Sequence, residues 1–100
     1  MKVFIVLGAH SEYTGFSIYL GAYTSLKDAI DAKWNERVKS GTGAFMMMHK
    51  QVCEENGKVS HFVAFQSRNC NITEEEFKQD AEYFAYNADI AGFEIIEEEI

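Results

Sequence analysis

The sequence predicts one α+β domain over residues 1–100, in the order β-β-α-β-β-α-β, with a mainly antiparallel sheet packed by two helices. Three observations carry that prediction. The stretch "ENGK", Glu55 to Lys58, puts Asn56 and Gly57 where a two-residue hairpin turn needs left-handed backbone. Two segments repeat apolar residues at three- and four-residue spacing, each behind a capping residue. Short runs rich in Val, Ile and Phe open and close the chain. One hundred residues suffice for a single core without disulfides or metal, and a hydrophobic content of 47% belongs to a globular chain.

The first run, "KVFIVL", carries Val3, Ile5 and Leu7 on one face and Phe4 and Val6 on the other, the pattern of a central strand covered on both sides. "GAHSEYTG", Gly8 to Gly15, reads as a loop. "FSIYLGAY" alternates, with Phe16, Ile18, Leu20 and Ala22 on one face and Ser17, Tyr19 and Tyr23 on the other, and is expected to pair antiparallel with the first strand. "TSLKDAIDAKWNERVKSG" is the first helix: Ser25 caps, Asp28 follows three residues on, and Leu26, Ala29, Ile30, Trp34 and Val38 form one stripe. Lys39 suits its last turn and Gly41 stops it. The second helix starts at a Thr73–Glu76 capping box, with Glu74 and Glu75 complementing the positive helix end. Phe77, Ala81, Phe84, Ala85 and Ala88 make its stripe, Gly92 ends it, and "FEIIEEEI" is the last strand.

Between the helices, pairing Glu55 with Lys58 sets Val52 against His61, Lys50 against Val63 and Met48 against Phe65. One hairpin face then collects Met46, Met48, Val52, Val59, His61, Val63 and Phe65, with Lys50 as the exception. The other collects Phe45, Met47, His49, Gln51, Cys53, Ser60, Phe62 and Ala64. This division accounts for three consecutive methionines: Met46 and Met48 enter the core while Met47 points away. If both helices lie on one side, Phe45, Met47 and Phe62 form an apolar patch, joined by Tyr19 and Tyr23. That patch would be a contact surface for a second copy in a homodimer or for a partner. If one helix covers that side, the patch is core.

Charge is unevenly spread. Residues 1–68 hold six acids and eight bases, a net of +2; residues 69–100 hold ten acids and one base, a net of −9. The acidic third would repel phosphates, which excludes direct nucleic-acid binding there and suits a basic protein partner, although solubility alone also accounts for it. On the second helix, Glu75, Asp80, Glu82, Asp89 and the tyrosines Tyr83 and Tyr86 fall off the apolar stripe. They offer either a solvated face or a partner-binding one.

Three histidines make no site: the register puts His49 and His61 on opposite faces, and His61 reads as a core or edge residue. The loop residues His10, Ser11, Tyr13 and Thr14 could hold a small polar ligand, although a phosphate loop's Lys-Ser/Thr end is missing. Glu97 and Glu99 share a strand face with Ile95, and Glu94 and Glu98 share the other with Ile96 and Ile100. They read as a solvated edge that discourages strand addition, or less simply as paired carboxylates. Cys53 and Cys70 are expected to be free thiols, with no metal-ligand spacing. No catalytic set, cofactor motif, metal site or membrane-spanning stretch is visible, and "MKVFIVLG" is too short and unpatterned for a leader, which predicts a cytoplasmic protein.

The segment "YLGAYTSLKDAIDA", with Gly21, Tyr23, Thr24, Ser25, Ala29 and Ala32, and the ending "GFEIIEEEI" resemble short uncharacterised α+β proteins of bacteria and their phages. That resemblance covers about a quarter of the chain and carries no catalytic residues. It implies a phage accessory protein acting in the host cytoplasm. The expected function is therefore a non-enzymatic, acidic interaction module that binds and inhibits a host protein with a basic or nucleic-acid-binding surface. Two alternatives come from other classes: a ligand- or nucleotide-sequestering protein using residues 8–15, and a small enzyme without a recognised motif.

Overall fold

The Asn56–Gly57 turn forms as its sequence dictates, with φ of +55° and +77°. In the computed structural model, which describes residues 1–9, 16–39, 45–67, 72–87 and 92–100, it joins β3 (Phe45–Glu55) to β4 (Lys58–Ser67). The ladder runs unbroken from Glu55↔Lys58 to Met47↔Gln66, in the expected register, and an irregularity follows between Met47 and Phe45. The other elements are β1 (Lys2–Ala9), β2 (Phe16–Tyr23), α1 (Leu26–Lys39), α2 (Glu74–Gln79), α3 (Ala81–Asn87) and β5 (Phe93–Glu99). All five strands form one antiparallel sheet in the order β2-β1-β5-β4-β3.

The α+β class and antiparallel sheet agree with the sequence reading; the helix count differs. The second helical segment is two helices. Asp80, at φ −152° and ψ +72°, leaves helical geometry. Its carboxylate accepts from Tyr83 N at 3.2 Å and its carbonyl from Phe84 N at 3.2 Å, so it caps α3 while ending α2. A short carboxylate competes well for helix-start amides, and that local choice overrides the continuous apolar stripe. The Thr73 cap holds, accepting from Glu76 N at 3.1 Å, and Ser25 accepts from Asp28 N at 3.1 Å at the start of α1.

The helices lie on opposite faces of the sheet. β4 shows this directly, because its alternate residues enter different clusters. Val63 and Phe65 join Val6, Phe93, Ile95, Ala29 and Ile30 beneath α1, where the Trp34 and Phe65 rings meet edge-on at 5.3 Å. Phe62 and Ala64 join Ile72, Phe77, Ala81 and Ala85 beneath α2 and α3. The expected exposed patch is therefore not formed at Phe62, which is 6% exposed. It packs on Phe16, with ring centroids 5.9 Å apart, because a helical layer covers this side too. The side chains of its other proposed members, Phe45 and Met47, lie outside the described part.

Two further expectations fail for local reasons. β2 does not alternate simply, since its register against β1 shifts between Val6 and Leu7 and again between Gly8 and Ala9. Phe16 and Tyr23 stand on opposite faces as expected, but Tyr19, opposite Leu7, falls on the same face as Ala22, opposite Ile5. Gly21, at φ +148°, supplies the backbone that the first shift needs. Lys33 of α1 is buried, donating to the Leu20 carbonyl at 3.3 Å and pairing with Glu36 at 3.1 Å, which ties α1 to this irregular strand. β5, read as an edge, is central between β1 and β4.

Gly92 opens β5 directly beneath α3, and a Cβ there would overlap the Ala85 carbonyl. Backbone at that distance cannot yield as a side chain does. Gly92→Ala is expected to lower the unfolding free energy by about 3 kcal/mol or more, as overpacking against a rigid neighbour does. Gly57→Ala meets no atom within 4 Å and should cost only the left-handed backbone, about 1 kcal/mol. Urea denaturation of the two variants checks the contrast.

Candidate functional site

Where α2 gives way to α3, the chain stands over the hairpin and leaves a groove of about 790 Å³. Asp80, Ala81 and Glu82 form one wall, Gln51, Cys53 and Glu55 of β3 another, and Ser60, Phe62, Glu94 and Ile96 of β4 and β5 the floor. Four carboxylates thus border it, against one cation, Lys58. Strand pairing explains how residues so far apart converge: Cys53 opposes Ser60, Gln51 opposes Phe62, and Phe62 in turn opposes Glu94.

Groups in the groove are electrostatically perturbed. Burial pushes the Glu94 carboxyl above its usual range; a hydrogen bond from Ser60 opposes that, nearby Glu82 reinforces it, and Lys58 opposes it. The Cys53 thiol, which is free, is raised above its usual range by burial first and then by Glu82, Glu55 and Glu94, a shift that disfavours the nucleophilic thiolate. Gln51 donates through Nε2 to the Lys78 carbonyl at 3.1 Å, pinning β3 to the end of α2. Its Oε1 is buried without a hydrogen-bond partner among the described residues. A groove in which carboxylates outnumber their cation favours a donor-rich cation.

Of the residues singled out on the acidic helical segment, Asp80 and Glu82 meet in this groove. Glu75 is exposed on the first turn of α2 and does not line it; Tyr83 is 56% exposed and stacks edge-on to Phe84 at 5.3 Å. Asp89 and the side chain of Tyr86 lie outside the described residues. So do the loop residues His10, Ser11, Tyr13 and Thr14. Sequence reasoning missed Glu55, Gln51 and Ser60 as neighbours of Asp80. The hairpin register places them on one face, but only the position of α2 and α3 shows that this face meets the acidic helices.

A second polar cluster sits on the opposite side of the sheet. Glu97 accepts from the buried His61 through Nε2 and from Lys2 Nζ at 3.0 Å. His49 is on the other face, as its register required; its Nε2 donates to Gln66 Oε1 at 3.0 Å, and its ring lies 5.8 Å from that of Phe77. The glutamates near the C-terminus are therefore not at a sheet edge: Glu97 is the acceptor that satisfies a buried imidazole, while Glu98, paired with Lys58 at 3.7 Å, stays half-exposed and Glu99 exposed. Among the described residues no group of three or more His, Cys, Asp or Glu side chains is arranged to hold a metal ion, and no helix is long and apolar enough to cross a membrane. Comparison of the chain with protein-family models, curated proteins and solved structures finds no match.

The Glu97 carboxyl is held below its usual range, by the His61 hydrogen bond first and the Lys2 bond second. A carboxyl lowered in the folded state contributes stability above its unfolded pKa, and that contribution disappears as pH falls through the folded one. Urea midpoints followed from about pH 5 down to about pH 3 should therefore fall less steeply for Glu97→Gln than for the parent chain.

Proposed function

We propose that the protein is a small, non-enzymatic interaction module whose acidic groove receives a basic segment of a partner protein. The observation that carries this reading is the convergence of Asp80 at the α2–α3 junction, Glu82 of α3, Glu55 of β3 and Glu94 of β5 on one groove with an apolar floor at Phe62 and Ile96. Glu94 is partly desolvated before any partner arrives. An incoming Arg or Lys would meet in Glu94 a carboxylate already stripped of some water, beside the exposed Glu55, Asp80 and Glu82. The net charge of −7 would steer a cationic surface from a distance. Together with the resemblance of the 19–32 segment and the acidic ending to short phage and bacterial proteins, this chemistry suits an inhibitor of a host protein with a nucleic-acid-binding or otherwise basic surface, acting in the host cytoplasm.

Binding of a fluorescent Arg-rich peptide, measured by anisotropy at low and high salt, tests the proposal. Paired charge reversal, Glu55→Lys with Glu82→Lys, should weaken binding by about a hundredfold at low salt while leaving the melting midpoint within a few degrees. Asp80→Asn removes charge but keeps a capping side chain, so it should weaken binding about tenfold without fraying α3. Equal affinity of the parent and the doubly reversed chain would overturn the reading.

A further inference from the structure

The outer layer of the sheet is only half built. On the face where α2 and α3 pack, these helices cover β3, β4 and the adjoining part of β5. Over β1 and β2 no described helix lies on that face, since α1 is on the other. Register shows what is left bare. Ile5 sits between Ala22 on β2 and Ile96 on β5; Leu7 sits between Tyr19 and Glu94; Val3 sits beside Glu98. Val3, Ile5, Leu7 and Ile96 are half-buried and belong to neither buried cluster, while Ala22 is exposed and Tyr19 is 65% exposed. The result is a continuous apolar strip whose β5 side is a row of carboxylates, Glu94 and Glu98, shared at Glu94 with the acidic groove.

We infer that this strip is the docking face for one amphipathic helix of a partner protein, with basic residues along its β5-facing flank. The inference rests on the basic-partner reading and adds the partner's secondary structure and its seat. Three strands span about 10 Å between their outer axes, which is the diameter of one helix. Such a helix would lie beside α3 and complete the layer that α2 and α3 begin. Its apolar residues, recurring every three or four positions, would cover Ile5, Leu7 and Ile96. Lysines or arginines on the adjacent flank would reach Glu94, and beyond it the groove, and would compete with Lys58 for Glu98. A second copy of this chain is disfavoured as the occupant, because it would bring a net charge of −7 against a face already bordered by carboxylates.

The test uses the full chain and two synthetic peptides of about 18 residues, long enough to run the length of β1 as a helix. One carries Leu at helical spacing with Lys on the flanks; the other has the same composition with Leu distributed around the helix. The parent chain should bind the amphipathic peptide about tenfold more tightly than its scrambled counterpart, and Ala22→Glu or Tyr19→Ala should erase that preference without moving the melting midpoint. Equal binding of the two peptides, or a preference untouched by both variants, would overturn the inference. If Glu55→Lys with Glu82→Lys still weakened both peptides in that event, the groove reading would stand without it. A preference erased by Ala22→Glu but indifferent to those reversals would support the face and remove the groove. Sedimentation that detects a dimer dissolved by Ala22→Glu would also overturn it, by assigning the strip to a second copy.

Discussion

Both layers of the protein depend on a constraint at the hairpin tip: Asn56 and Gly57 must turn in two residues, so that β3 and β4 meet in one register. Hydrophobicity alone would not set that register. From Phe62 to Phe65 the strand is apolar on both faces and buried on both, at 6%, 1%, 0% and 0% exposure. A one-residue slip would exchange the faces and still present apolar groups to both helical layers. The polar residues around them would not survive the exchange. His61 would leave Glu97, and His49 would lose Gln66 and the ring of Phe77. Lys50, now exposed, would be driven beneath α2, and stranding one buried polar or charged group costs on the order of 1–3 kcal/mol. The left-handed turn and the two buried histidines thus fix what the apolar residues leave open.

The acidic groove grows from the same register. Cys53, Gln51 and Ser60 face it because Met48, Val63 and Phe65 face the other way. Asp80 supplies the remaining geometry. By capping α3 it breaks the helical segment at the point where α2 meets the sheet, and the break turns Ala81 inward and leaves Glu82 on the rim. One carboxylate is both a structural cap and part of the negative wall. The chemistry on the two faces differs accordingly. Beneath α1 a carboxylate is matched to a buried imidazole and a lysine, whereas in the groove carboxylates outnumber their cation.

Much of this was legible in the sequence, and what was not had physical causes. The turn, the Ser25 and Thr73 caps and the opposite facing of His49 and His61 follow from short-range chemistry. The split at Asp80 did not show, because a carboxylate off the apolar stripe looks the same on a solvated helix face as at a junction. The alternation of "FSIYLGAY" misled because two register shifts against β1 interrupt it, and only the partner strand reveals them. The pairing of His61 with Glu97, 36 residues away, depends on β5 lying between β1 and β4. The side covered by each helix decided whether Phe62 was patch or core, and no local signal carries that information.

The two margins of the sheet are unlike. β2 is kinked by two register shifts, and its Leu20 carbonyl is taken by Lys33. β3 runs straight from Met47 to Glu55 with nothing on its outer side among the described elements. A template for strand addition is therefore present on one margin and spoiled on the other. Among the described residues, edge-to-edge association would therefore join two β3 margins and use the regular edge of each molecule. A pair joined through β3 would leave no second regular edge for growth, which works against fibril propagation.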